Sequence, residues 1–262
     1  MSDTVKTILD TMGDIAVAVS GGVDSMTLAF VAHRDLGAKA TMYHAASPAV
    51  PRDAGDRVRR HAERHGWNLK VISAGEFDDA DYLRNPVNRC FFCKTNLYGA
   101  IARHSDATIL SGTNFDDLGD YRPGLEAAQN HGVRHPWVEA HMTKQDVRAL
   151  ARSVGLDDLA ELPAAPCLSS RVETGIAVEA PALGFIDQVE RLISERMAPL
   201  TVRCRLRHEG IAIELDEASL ADLLSDRGAA LRADTASLSQ RHGYGAEVRF
   251  EPYRMGSAFR HQ

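Results

Sequence analysis

Hydrophobic positions along this chain switch between a helical and an extended period. Val5, Ile8, Leu9 and Met12 share one helical face, and Gly13 is placed to end that helix. The run IAVAV at 15–19 is apolar throughout and rich in β-branched residues, as in a parallel strand buried on both faces. Met26, Leu28, Ala29, Phe30 and Ala32 continue a buried helix that Gly37 closes. The same periods predict strands at 39–45, 68–73 and 108–111, a charged surface helix at 53–66 and a helix at 94–103. Strands alternating with helices in this way predict an α/β fold with a doubly wound, mainly parallel sheet.

Farther along, Thr143 is an N-cap for a helix over 144–154, which Gly155 stops. Residues 157–174 are rich in proline and small side chains and read as a mobile loop. A helix at 182–197 follows, and Pro199 marks a boundary. Beyond it, 202–207 and 211–215 read as paired strands, with a helical region and a last strand at 246–250. Two domains are expected, one over 1–175 and a small α/β domain, with its helical connection, over 176–262.

Composition changes this picture in two ways. With 44% hydrophobic residues in 262, the chain can bury a sizeable core, and its formal net charge of −6 argues against a general nucleic-acid binder. No apolar run approaches the roughly 18 residues that span a bilayer. The amphipathic first helix lacks the charged and apolar segments of a signal peptide. A cytoplasmic location is expected, where cysteines serve metals or catalysis more often than disulfides.

The candidate chemistry begins where the first strand stops. Gly21 and Gly22 let successive N–H groups point into one concavity, and Asp24 and Ser25 open a helix whose N-terminus adds donors and a positive dipole end. Such a cradle fits pyrophosphate. It is not a Walker A loop, because no Lys-Ser or Lys-Thr pair ends it. Ser111 to Asn114, SGTN, ends the fourth strand. The acids Asp116, Asp117 and Asp120, with Arg122, follow it and are suited to Mg²⁺ and phosphate oxygens, or else to a loop satisfied by its own Asx turns.

Three cysteines stand out. Cys90 and Cys93 form a C-x-x-C, for which zinc, redox chemistry and plain burial are all open, and Cys167 stands far downstream in APCLSSR. No second C-x-x-C completes a structural zinc site, whereas three thiolates suit a [4Fe–4S] cluster with one iron left open. Cys204 alternates with Arg203 and Arg205 on a strand, so it faces the core while the arginines share the other face.

SGGVDS at 20–25 resembles the loop of the ATP pyrophosphatase (PP-loop) superfamily. Together with the S-P-x-x-P exit at 47–51, CFFCK, GTNxDDxxDYRPG, TKxxVR at 143–148, APCLSSR and the terminal YRMGS at 253–257, it resembles the LarE family across nearly the whole chain. These are PP-loop sulfur transferases of nickel-pincer nucleotide biosynthesis. The sequence departs from the usual pattern at Pro166 and Ala258.

The resemblance implies that ATP adenylates a carboxylate of pyridinium-3,5-dicarboxylate mononucleotide, and that sulfur then displaces AMP to leave a thiocarboxylate. It assigns Ser20, Gly21, Gly22, Asp24 and Ser25 to the phosphates and metal, with Gly112, Thr113 and Asp117 nearby. Ser170, Arg171, Arg203 and Arg205 are assigned to the substrate phosphate. Some members donate sulfur from a cysteine at the position of Cys167, which becomes dehydroalanine. Others carry three cysteines, here Cys90, Cys93 and Cys167, for a [4Fe–4S] cluster that delivers sulfide. ATP, Mg²⁺ and the cluster are thus the expected cofactors and a small mononucleotide the expected partner, with no nucleic acid or membrane and a homo-oligomeric assembly. A cluster-bearing tRNA thiolase and a non-catalytic adenine-nucleotide sensor are the alternatives.

Overall fold

The computed structural model describes residues 2–119, 122–164 and 166–259. They divide into two units, Met1–Asp79 with Asn88–Ala165, and Ala80–Val87 with Pro166–Gln262. The second unit therefore begins ahead of the expected position 176 and recruits a short segment from the middle of the first.

In the first unit, Ile15–Ala18 (β1) is buried at all four positions, as an unbroken apolar run requires. It occupies an interior place, with Ala40–Ala45 (β2) parallel on one side and Thr108–Leu110 (β4) parallel on the other. Asn68–Ile72 (β3) extends the sheet beyond β2, so the order is β3-β2-β1-β4. The helices are α1 (Ser2–Asp10), α2 (Val23–Leu36), α3 (Arg52–His65), α5 (Arg89–His104), α6 (Pro123–Asn130), α7 (Pro136–Glu139), α8 (Lys144–Ser153) and α9 (Asp157–Ala160). The four-residue α4 (Ala80–Leu83) belongs to the second unit.

Alternation along β1 sends its side chains into two cores. Ile15 and Val17 join Leu9, Met26, Val31, Val58, Trp137 and Val147, whereas Ala16 and Ala18 join Tyr98, Ile101 and Ala128. Helices thus cover both faces of a parallel sheet, as the sequence predicted. The strand order reverses at β1, and the crevice beyond the carboxyl ends of β1 and β4 is where such sheets hold ligands.

Two local expectations change. α5 starts at Arg89 rather than at 94, because RCFFC contains no helix breaker and the Phe91 N–H closes a first turn on the Asn88 carbonyl at 2.8 Å. The expected loop 157–174 contains α9, and its later part, in the second unit, is well anchored. Leu168 to Glu173 are all buried, the Tyr82 and Ser169 hydroxyls lie 2.6 Å apart, and the Asn85 amide donates to the carbonyls of Val172, Glu173 and Ile176.

The second unit pairs β5 (Val202–Arg207) with β6 (Gly210–Leu215) as an antiparallel hairpin, and β7 (Val248–Pro252) adds parallel to β6. α10 (Ala180–Met197), α11 (Glu217–Leu224) and α12 (Ala229–Arg241) complete it. Charged residues are built into this sheet. Glu214, 1% exposed, accepts from Arg205 Nε at 2.9 Å and Arg207 Nη2 at 2.6 Å, and Arg207 Nη1 reaches Glu251 at 2.8 Å. A buried ion pair adds little net stability, but removing one partner leaves the other charge uncompensated. Glu214→Ala is expected to destabilise the protein by about 3–5 kcal/mol in urea denaturation, far more than a typical surface acid-to-alanine change.

Candidate functional site

The loop between β1 and α2 takes its shape from what its carbonyls and hydroxyls bond. Ser20 N–H donates to Ser25 Oγ at 3.0 Å, Ser25 O–H donates to the Gly22 carbonyl at 3.2 Å, and the two serine hydroxyls lie 3.0 Å apart. With the Ser25 proton directed to Gly22, Ser20 is the donor between the hydroxyls. The Gly21 carbonyl accepts from Arg57 Nη1 at 2.9 Å, the Val19 carbonyl from His44 Nδ1 at 3.0 Å and the Asp24 carbonyl from Trp137 Nε1 at 3.1 Å. Gly22, the N-cap of α2, supplies no side-chain acceptor for the first-turn N–H groups. Acceptors are tied back into the protein while the donor end of the helix stays uncapped, which is the polarity an anion needs.

Two glycines permit this packing. Gly21 has φ +83, and a Cβ there would lie 2.6 Å from the Ala54 carbonyl oxygen at the start of α3. At the end of β4, a Cβ on Gly112 would lie 2.6 Å from Ser25 N and 2.8 Å from Ser25 Cα. The backbone after β4 is therefore pressed directly against the first turn of α2.

Asp24 stands at the junction. Its Oδ1 accepts from Asn114 Nδ2 at 3.2 Å, and its Oδ2 forms an ion pair with Lys144 Nζ, from the first residue of α8. Asn114 N–H donates to Asp117 Oδ2 at 3.1 Å, Arg122 pairs with Asp117 Oδ1 at 2.8 Å, and Lys144 N–H donates to Asp116 Oδ2 at 2.8 Å. Ser111 and Thr113 hydroxyls bond at 2.9 Å. Thus Ser20, Gly21, Gly22, Asp24, Ser25, Gly112, Thr113 and Asp117 all belong to this one neighbourhood. Asp120 and Tyr121 lie outside the described residues. Sequence reasoning placed Asn114 within SGTN and Lys144 within TKxxVR without giving either a role, and it missed Trp137, Arg57 and His44 as parts of the site. The contacts of these residues with the loop at 19–25 are long-range and carry no local spacing.

No family model matches the chain. An uncharacterized protein of Synechocystis sp. is 33% identical over 214 residues, 80% of this chain and 79% of its own length. A glutamine-hydrolyzing GMP synthase component of Methanopyrus kandleri, a PP-loop protein, is 27% identical over 54% of this chain and 50% of its own. The LarE-type pyridinium-3,5-bisthiocarboxylic acid mononucleotide synthase of Lactiplantibacillus plantarum is 30% identical over 226 residues, 84% of this chain and 81% of its own. The chain belongs to the LarE family.

In this LarE-family chain the candidate substrate residues lie in the second unit. Arg171, 2% exposed, grips Glu190 through Nε and Nη2, both at 2.9 Å, and its Nη1 donates to the Pro166 and Cys167 carbonyls at 2.6 and 3.1 Å and to Ser170 Oγ at 3.1 Å. Arg205, besides its bond to Glu214, donates to the Ser170 carbonyl at 3.0 Å. Arg203 is half-buried, with its guanidinium 5.9 Å from the Tyr253 ring centre, and burial followed by the charge of Arg171 pulls its pKa down. Cys204 faces the core as expected, and burial pushes its thiol pKa well up.

Cys90 and Cys93 are half-buried in the first turn of α5, and Cys167 is half-buried in the second unit. Among the described residues no group of three His, Cys, Asp or Glu side chains is arranged to hold a metal ion. The cradle acids Asp24, Asp116 and Asp117 already accept from protein donors. The expected metal set Cys90, Cys93 and Cys167 divides between the units, with Cys90 and Cys93 in the first and Cys167 in the second. No helix among the described residues is long and apolar enough to cross a membrane.

Gly112→Ala drives a methyl group into the α2 backbone. It is expected to destabilise by about 1–3 kcal/mol, as overpacking does, and to speed amide hydrogen exchange at 21–25 more than at Val17. A second outcome concerns pH. Burial lowers the pKa of His44, His65 and His135 below 6.5. The unfolded chain therefore takes up these protons first as pH falls. Stability that is complete above pH 6.5 is lost as pH drops below that value toward the folded pKa values, so the urea midpoint should fall between about pH 7 and pH 5.

Proposed function

We propose that this chain is an ATP-dependent sulfur transferase that converts a carboxylate of pyridinium-3,5-dicarboxylate mononucleotide to a thiocarboxylate, in nickel-pincer nucleotide biosynthesis. The observation that carries this reading is the donor-lined loop at 20–25 in a chain 30% identical, over 84% of its length, to a pyridinium-3,5-bisthiocarboxylic acid mononucleotide synthase.

A carboxylate is a poor electrophile, and activation as an acyl adenylate gives it a good leaving group. One carboxylate oxygen attacks the α-phosphorus, the bond from that phosphorus to the bridging oxygen breaks, and pyrophosphate leaves with the electron pair. A sulfur nucleophile then adds to the acyl carbon and expels AMP. ATP enters as substrate together with its Mg²⁺. The chain's part is to orient the phosphates with the N–H groups of 21–25 and to meet charge that develops on them with fixed dipoles. Ser20, Gly112, Thr113 and Asp117 shape that cradle, with Asp24 and Ser25 at its centre. Arg203 is assigned to the substrate phosphate, with Arg205, Arg171 and Ser170 supporting it, since Arg offers a bidentate match to phosphate. Cys90, Cys93 and Cys167 are assigned to sulfur handling, as ligands of a [4Fe–4S] cluster or with Cys167 itself as donor.

The test supplies ATP and the dicarboxylate mononucleotide under anaerobic conditions. AMP and pyrophosphate are expected in step with thiocarboxylate, and ADP with phosphate would overturn the reading. Arg203→Ala is expected to raise KM for the mononucleotide about tenfold or more and to leave KM for ATP nearly unchanged. Iron and sulfide analysis with the visible spectrum then separates the two sulfur sources. A bound cluster and intact Cys167 after many turnovers mark the first, and loss of H₂S from Cys167 in one turnover per chain marks the second.

A further inference from the structure

His135 belongs to none of the motifs, and its half-buried ring carries a buried nitrogen with no bonding partner. It stands where the sheet ends. Arg134 pairs parallel with Leu110, its N–H donating to the Ile109 carbonyl at 2.9 Å and its carbonyl accepting from the Ser111 N–H at 3.1 Å. Position 134 thus prolongs the sheet beyond β4, and His135 leaves it at the carboxyl edge beside the segment 111–114. The same stretch of chain reaches the cradle, because Trp137, two residues on, donates to the Asp24 carbonyl at 3.1 Å.

The state of the ring follows from its partners. It is hydrogen-bonded to the Ser111 backbone. The Ser111 N–H is already given to Arg134, which leaves the Ser111 carbonyl as the partner, and a carbonyl only accepts. Since Nδ1 is the nitrogen without a partner, Nε2 carries the proton that meets Ser111. Burial, ahead of the charges of Glu139, Lys94 and Asp117, pulls the pKa below 6.5, so the ring at pH 7 is neutral and holds that one proton. Nδ1 is therefore a bare lone pair, bonded to none of those three side chains.

A buried acceptor without a donor is costly, and native structures seldom keep one. The ligands of the nucleotide reading limit what can match it. Phosphate and carboxylate oxygens accept, and they cannot serve a lone pair. The dicarboxylate mononucleotide has its donors in the ribose hydroxyls, and ATP adds the adenine amino group. That amino group lies at the far end of ATP from the phosphates, whereas the ribose is joined directly to the α-phosphate and is the group next to a phosphate held by the first turn of α2. We infer that His135 Nδ1 accepts a hydrogen bond from a ribose hydroxyl of a nucleotide bound at this site, and so selects the ribonucleotide over its deoxy form. This rests on the nucleotide reading above and deepens it.

The experiment measures calorimetric binding to the full chain of ATP, 2′-deoxy-ATP and 3′-deoxy-ATP, and of the dicarboxylate mononucleotide with its 2′-deoxy and 3′-deoxy forms. The unaltered chain is expected to bind ATP or the mononucleotide about tenfold more tightly than one of its deoxy forms. His135→Phe, which keeps a ring but no acceptor, is expected to bring that ratio to within about twofold of one. The nucleotide that shows the loss is the one whose ribose the ring holds. Equal affinity for the ribo and deoxy forms of both nucleotides, as a nitrogen served by water alone would give, overturns the inference, and so does a preference that His135→Phe leaves intact. If the unaltered chain binds neither nucleotide, the nucleotide reading itself fails and this inference falls with it. A measurement that needs no variant runs alongside. The ¹⁵N resonance of His135 Nδ1 is expected to move toward its hydrogen-bonded position with the ribonucleotide and less with the deoxy form, and equal positions with the two also overturn the assignment.

Discussion

The candidate site depends on one close approach, that of the backbone at Gly112 to the first turn of α2. A side chain at that position would stand 2.6 Å from Ser25 N, so the loop after β4 and the helix after β1 can meet only where no Cβ intervenes. The strand order makes the meeting possible, because β4 pairs with β1 and delivers 111–114 beside the loop at 20–25. Once the two are in contact, Asn114 reaches Asp24, and Phe115 N–H bonds the Met142 carbonyl at 2.8 Å, which brings the start of α8 to the same place. The α3 side repeats the device, with Gly21 set against Ala54.

The second unit solves a different problem, that of holding arginines in place within a small sheet. Arg171 and Arg205 are buried with their guanidinium groups committed to Glu190 and Glu214, which fixes their planes but draws on the donors that would face a ligand. Arg203 keeps more exposure and lies against an aromatic ring. Its pKa is lowered first by burial and then by the charge of Arg171, with Glu190 acting in the opposite direction.

Much of this fold was legible in the sequence because it is written in local periods. The apolar run of β1, the glycines of its exit loop, the Thr143 cap and the inward Cys204 all follow from residues within a few positions of one another. What could not be read depends on distant partners. Residues 168–173 look like loop because they are rich in serine and lack a helical period, yet Tyr82, Asn85 and Glu190 bury them. The start of α5 was placed too late because a C-x-x-C suggests a turn, while Phe91 and Phe92 between the cysteines are compatible with a helix. Trp137 was unremarkable as an isolated aromatic residue, and it is the donor that holds the Asp24 carbonyl from 113 positions away.

The hydrogen-bond accounting of the loop explains why these distant residues matter. A tight loop carries as many acceptors as donors, and left to itself it has no preference for an anion. Here the carbonyls of Val19, Gly21, Gly22 and Asp24 each accept from a donor within the unit, namely His44, Arg57, Ser25 and Trp137. Three of those four donors lie outside the hexapeptide. The glycines supply the permitted conformation, and the surrounding fold withdraws the acceptors while the first turn of α2 keeps no side-chain cap. His44 can play this part only with its proton on Nδ1, and the burial that lowers its pKa favours the neutral ring that carries one such proton. A hexapeptide match therefore marks where an anion cradle can form, and the long-range donors are what occupy its carbonyls.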